Sequence, residues 1–296
     1  MPKPIDYVPQ RVVSLVPSIT KSLFDIQLNY VLVGITDYCV QPPEALETLP
    51  TVGGTKNPNI EKIKSLNPDL VIMNDEENRK VDAEALQAAG IPVWVTGPRT
   101  VMEAINLLWE IMEVFQDAEM VPRVRLIEQT MDYVSLAMEN ERPIKTFVPI
   151  WKDPWMTANR DTYMHDVMGL FGMENVFAER DRKFPLAADI GDAESLPADD
   201  PRVADRDVRY PRISLEEIKA AQPELVLLPD EPYVFTEEDA ETFYNLDIPA
   251  AHLGNIYLIS GALLMWHGTH IAYAFTQIPP ILAEVRELLK ETNGDE

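Results

Sequence analysis

The chain has 296 residues, 46% hydrophobic and 25% charged, a balance that fits one large folded domain or two modest ones and excludes a disordered or fibrous protein. Its 49 acidic and 25 basic residues leave a net charge of −24, which repels nucleic acid and anionic membrane surfaces. Cys39 is the only cysteine, so there is no internal disulfide and no thiolate zinc cluster, and no run of 18 apolar residues is present to span a membrane as a helix.

In chain order, Met1 to Val8 lacks the apolar core and small-residue cleavage site of a secretory signal and leads directly into a strand over Arg11 to Val16. As written, the chain is cytoplasmic unless an export signal has been removed. A helix is expected near Ile19 to Leu28, a strand over Val31 to Ile35, a helix and strand ending at Met73, a strand over Pro92 to Val95 and a helix over 100–116. Pro122 to Glu141 reads as a longer helix, with proline at its start and Val124, Ile127, Met131, Val134 and Met138 spaced by three and four. Beyond it come a strand over Lys145 to Ile150 and a helix near Thr162 to Phe171. The Asp- and Pro-rich stretch from Asp181 to Asp207 reads as a solvated loop insertion. A strand over Ile256 to Ile259 and a final helix from about Thr269 to Lys290, kinked or broken at Pro279-Pro280, complete the chain.

Two stretches repeat at an offset of 155 residues. IEKIKSLNPDLVIMNDE, from Ile60 to Glu76, shares eight of seventeen positions with LEEIKAAQPELVLLPDE, from Leu215 to Glu231. Each reads as a short helix, a proline turn and a fully apolar strand. Gly90-Ile-Pro92 and Asp247-Ile-Pro249 then lead toward the next strand of each copy. Alternating helices and continuously apolar strands imply parallel sheets covered on both faces. The expectation is therefore an α/β protein: a Rossmann-like lobe over 1–120, a stiff linker helix over 121–142, a second such lobe over 143–296, and a ligand cleft between them.

The segments Arg11-Val-Val-Ser-Leu-Val-Pro-Ser18, Gly34-Ile-Thr-Asp-Tyr38, Pro42-Pro43, Val52-Gly-Gly54, Asn59-Ile-Glu61, Pro68-Asp-Leu-Val71 and Gly90-Ile-Pro92 together resemble the cobalamin and iron-siderophore substrate-binding proteins of ABC importers, and the cobalamin-binding branch above all. The likeness covers nearly the whole chain and is densest in the first half. It implies two lobes joined by one long helix, no enzymatic activity, no resident cofactor, and a ligand that itself carries cobalt or iron. It further implies that Tyr38 and Tyr210 stack on that ligand, and that Glu61 and Glu216, one per repeat, dock onto a permease. Glu61 and Glu216 have a plainer role too, since acidic residues in a first helical turn favour the helix dipole, with Asn59 and Ser214 as the caps. Two departures weaken the ligand assignment: Gly53, Gly54 and Lys56 stand where that branch has a tryptophan, and its acidic–basic pair is missing from Ser260 to Gly268.

Trp151, Trp155 and Trp266 each follow a strand, and in open parallel sheets ligands gather beyond the carboxyl ends of strands. These are further ligand candidates, with ordinary core packing as the alternative. Among His165, His252, His267 and His270, the pair His267 and His270 comes nearest to a metal site, but two imidazoles underfill one. His267 is also placed to meet a metal borne by the ligand. Phosphate-loop, nucleophile-elbow and zincin motifs are absent. The function expected is a monomeric solute receptor for cobalamin or a related corrinoid, handing it to an ABC permease. A siderophore or haem receptor, or a cytoplasmic chelatase-like protein handling metals or tetrapyrroles, is the alternative.

Overall fold

The computed structural model describes residues 5–197 and 199–293. Residues 1–4 of the opening segment and Ala198 of the Asp-rich stretch lie outside them. The chain divides into two units: residues up to Thr130 together with Trp266–Ala272, and Met131–Met265 together with the chain from Tyr273 onward.

The first unit contains β1 (Val12–Ser14), α1 (Pro17–Asp25), β2 (Leu32–Ile35), α2 (Pro43–Thr48), a hairpin of β3 (Gly53–Gly54) and β4 (Asn57–Pro58), α3 (Ile60–Ser65), β5 (Leu70–Asn74), α4 (Lys80–Ala88), β6 (Val93–Thr96) and α5 (Val101–Phe115). Its main sheet is parallel, in the order β2-β1-β5-β6. β1 and β5 are buried along their whole length, as central strands covered on both faces must be. Val13, Leu15, Val71 and Met73 pack there with Val52, Ile63 and Leu86. α1 begins earlier than the apolar spacing predicts because Pro17 takes the first turn, and it ends at Asp25, two residues before Gln27 turns left-handed at φ 61°. α5 starts where the Thr100 side chain accepts the Glu103 amide and stops at Gln116, again at positive φ.

α6 (Val121–Met138) carries the chain from the first unit into the second, the boundary falling within it at Thr130–Met131. Its 18 residues span about 27 Å at 1.5 Å each. Val124, Ile127 and Met131 are buried, while Leu126, Tyr133 and Leu136 are exposed.

The second unit contains β7 (Ile144–Phe147), α7 (Tyr163–Leu170), β8 (Met173–Asn175), α8 (Leu186–Asp189), α9 (Leu215–Ala221), β9 (Leu225–Pro229), α10 (Glu237–Tyr244), α11 (Pro249–Leu253), β10 (Ile256–Ile259), α12 (Ala262–Met265) and all but the first two residues of α13 (Ile271–Asn293). Its sheet, also parallel, has the order β10-β9-β7-β8. The repeat thus recurs in three dimensions: β5 lies between β1 and β6 as β9 lies between β7 and β10, each preceded by its own short helix. Phe147, Phe177 and Phe243 form the centre of this core.

The structure departs from the sequence reading at several points. Trp266–Ala272 belongs to the first unit, so the second is not contiguous. Asp247-Ile-Pro249 does not lead straight to a strand, because Pro249 opens α11 and β10 waits for Gly254 at φ 75°. Pro279 and Pro280 do not break α13; Ala274, Ile278, Leu282, Val285 and Leu289, buried at spacings of three and four, continue one packed face across them. Nor is Asp181–Asp207 a solvated loop throughout. It contains α8, buries Phe184 and Val203, and encloses Asp189, which accepts from Arg180 Nη1 at 3.1 Å and from the Lys183 and Arg212 amides at 2.8 and 2.9 Å.

Candidate functional site

In the first unit, the chemistry-bearing side chains lie beyond the carboxyl ends of β1, β2, β5 and β6. Asn74, the last residue of β5, organises them. Its backbone amide donates to Asn78 Oδ1 at 2.7 Å, and its own Oδ1 accepts the Glu76 and Glu77 amides at 2.8 and 3.2 Å. Asn78 Nδ2 donates onward to the Leu15 and Thr55 carbonyls, tying the end of β1 to the β3–β4 hairpin. Arg99, after β6, pairs with Asp75 and Glu76 at 2.9 Å each. Lys56, exposed on the hairpin, donates to the Glu76 carbonyl at 2.5 Å.

Tyr38 is 62% exposed and follows β2. Its position depends on glycine twice. The Gly53 carbonyl, at φ 95°, accepts the Asp37 amide at 3.0 Å, and a Cβ on Gly54 would lie 2.4 Å from Asn57 Oδ1 and 3.1 Å from the tyrosine ring. The glycine-rich segment therefore seats Tyr38 as well as exposing Lys56.

His267 is buried, with Ser18 Oγ and Asn74 Nδ2 each 3.3 Å from Nε2. Burial, and the Arg99 charge after it, push its pKa down to about 4, so the imidazole is neutral at pH 7. His270 is likewise pushed down to about 4, by burial and then Lys21, against the pull of Asp25. Trp266 is half-buried and tilts against the His270 ring at 5.3 Å. Among the described residues, no three His, Cys, Asp or Glu side chains group as metal ligands.

In the second unit the segment after β7 turns sharply at Asp153, φ 58°, and returns so that Met156 bridges to Trp151. Trp151 stays 44% exposed and meets Tyr233 edge-on at 5.6 Å. Tyr233 in turn lies 4.7 Å from Phe235, which stacks on Trp155 at 5.9 Å with 6° between the planes. Trp155 is edge-on to the buried Phe243 at 5.0 Å, so it anchors this aromatic run to the core while Trp151 forms its outer end. Lys152 pairs with Asp239 at 2.6 Å, which holds its pKa up and that of Asp239 down despite the opposing effect of desolvation on each. Tyr210 is half-buried under the Arg209 guanidinium, 5.3 Å from the ring centre.

Glu61 and Glu216 are exposed in the first turns of α3 and α9, which are capped by the Asn59 and Ser214 side chains as their sequences imply. Glu61 also pairs with Lys64 at 2.9 Å. The structure thus groups Tyr38, Gly53, Gly54, Lys56, Trp266 and His267 within the first unit, and Trp151, Trp155 and Tyr210 within the second. Sequence reading overlooked Tyr233, Asn74 and Arg99. All three lie at or beyond strand ends, and the rule that singled out Trp151 would have found them.

A family model described as periplasmic binding protein matches residues 12–247. The vitamin B12-binding protein of Vibrio cholerae serotype O1 is 27% identical over 223 residues, covering 73% of this chain and 69% of its own. That of Pectobacterium atrosepticum is 23% identical over 227 residues, covering 75% and 72%. Among solved structures, the periplasmic vitamin B12 binding protein BtuF of Vibrio cholerae superposes with a TM-score of 0.73 at 20% identity, over 96% of this chain and 100% of that one. The haem-binding protein HutB of the same organism gives 0.68 at 19%, over 92% and 98%. Two equivalent parallel α/β units, a strand-end set of aromatic side chains and a family match over most of the length lead to one assignment: the chain belongs to the periplasmic binding protein family.

Proposed function

We propose that this protein is the solute-binding component of an ABC importer, that it takes up cobalamin or a related corrinoid, and that it is not an enzyme. The observation that carries this reading is the aromatic set at the strand ends: Tyr38 exposed in one unit, and Trp151 with Tyr233 at the outer end of an aromatic run in the other. A corrin ring is broad, flat and largely apolar, and aromatic side chains burying roughly 150–250 Å² each suit such a face. Lys56 and the hairpin amides supply polar contacts for its periphery, and Tyr210, Trp155 and Trp266 add apolar area. The vitamin B12-binding relatives support a corrinoid, and the haem-binding structural neighbours support haem as the second ligand to test.

Titration with cyanocobalamin, haem and ferric siderophores, read by tryptophan fluorescence and calorimetry, tests the reading. Saturable binding of cyanocobalamin is expected. Tyr38→Ala and Trp151→Ala should each weaken it about tenfold, the loss of roughly 1.4 kcal/mol of aromatic contact. No saturable binding of any of these ligands would overturn the transport role, and tighter binding of haem would replace the corrinoid.

A further inference from the structure

In a chain with a net charge of −24, cations without counter-ions are unexpected, yet the second unit has three of them, two within its Asp-rich insertion and one just after it. The guanidinium carbons of Arg182 and Arg206 lie 4.7 and 5.2 Å from the centre of the same buried ring, Phe184. Arg212 adds Nε and Nη1, both buried and without a hydrogen-bond acceptor. The neighbouring carboxylates are engaged elsewhere. Asp189 is taken by Arg180 and two backbone amides, and Glu217 by Arg180 and Ser214. Asp207 is paired with Arg209 at 2.7 Å, and Asp181 accepts from Asn159 at 2.7 Å. Among the described residues, Arg182, Arg206 and Arg212 have no carboxylate at ion-pair distance. Burial and then the Arg212 charge, with Arg206 adding to it, lower the Arg182 pKa against the pull of Asp189 and Asp207. Three like charges so placed repel one another, and the buried donors of Arg212 are left unmatched.

An oxyanion relieves both defects, since a carboxylate or phosphate offers several acceptors to planar guanidinium groups. We propose that Arg182, Arg206 and Arg212 form an oxyanion-binding site for a carboxylate or phosphate group. The group comes either from a free anion or, where the reading under Proposed function holds, from the bound ligand. The second source is supported by Tyr210, an expected ligand contact two residues before Arg212.

The test is NMR of the full chain labelled with 15N-arginine, following the Nε–H signals during titration with inorganic phosphate, citrate, cyanocobalamin (which carries a phosphodiester) and dicyanocobinamide (which lacks one). Saturable shifts of the Arg182 and Arg212 signals are expected, weakened about tenfold or more in Arg206→Gln, a substitution at an exposed position, and unchanged in Arg125→Gln. Shifts with phosphate or citrate alone assign a free anion. Shifts with cyanocobalamin but not cobinamide assign the ligand's own group. No saturable shift of these signals with phosphate, citrate or cyanocobalamin overturns the site, even if tryptophan fluorescence reports corrinoid binding. Phosphate binding without corrinoid or haem binding keeps the site and removes the transport reading instead.

Discussion

Burial beside Ser18 and Asn74, with Arg99 adding its charge, takes the His267 imidazole from the ordinary value of 6.5 down to about 4. His270 follows it, through burial and Lys21. Once unfolded, both rings titrate near 6.5, so between that pH and about 4 the unfolded chain binds more protons than the folded one. Their neutral burial is therefore fully tolerated above 6.5, and stability is lost as pH falls through the window, by up to roughly 3 kcal/mol per histidine. The urea midpoint should drop between pH 7 and pH 5, above the range where the carboxylates protonate, and His267→Gln should show a shallower drop; an equal drop in both proteins would exclude His267 as a source. These histidines stand out in the sequence because metals favour imidazole. Their environment does not, because burial is set by segments distant along the chain; the Ser18 and Asn74 side chains that meet His267 are 249 and 193 positions from it. Tyr38 is the converse case. Its neighbours Gly53 and Gly54 are close in sequence, and that local segment already marked the region.

Helix starts are the most local feature of the fold and were the easiest to read. The Ser214 hydroxyl and the Glu217 carboxylate cap each other's amides on α9, and Asn59 caps α3. Ser214→Ala and Asn59→Ala should each lower stability by about 1 kcal/mol in urea denaturation. Gly268 carries a heavier constraint. It sits at φ 83°, and a Cβ there would come within 2.3 Å of Ser22 Oγ, the acceptor of the Thr269 amide at 3.1 Å. Gly268→Ala should cost roughly 2–4 kcal/mol, from backbone strain and overpacking together. Gly90, at φ 78° with nothing near its absent Cβ, should lose only the conformational part on the same substitution, about 1–2 kcal/mol. Comparing the two thermal midpoints separates crowding from strain. The apolar strands β5 and β9 were legible because continuous burial leaves an unbroken apolar run. The short β8 and α8 were not, because a few residues carry no measurable period, and the sequence points to a kink or break in α13 because the cost of Pro279 and Pro280 is local while the packing that holds the helix unbroken is not.

Over the whole molecule, the repeat places one exposed glutamate on each unit at equivalent first-turn positions. For a two-fold permease, matched acidic residues are what a duplicated binding protein would offer, and we propose that Glu61 and Glu216 serve this purpose. A Glu61→Ala, Glu216→Ala variant should keep ligand affinity and lose transport in reconstituted vesicles; lost ligand affinity would count against the assignment. Such docking should weaken with added salt, because these charges are exposed and screened within about 10 Å at 0.1 M. By itself the sequence determined the α/β class, the duplication and the family resemblance, since these rest on periodicity, composition and motif order, all of which are written along the chain. Only the tertiary structure decided the return of Trp266–Ala272 to the first unit, the burial of His267, the aromatic run through Tyr233, and the two arginines about Phe184. Each depends on contacts between distant segments, and the energies that select them, burial and charge, act through space.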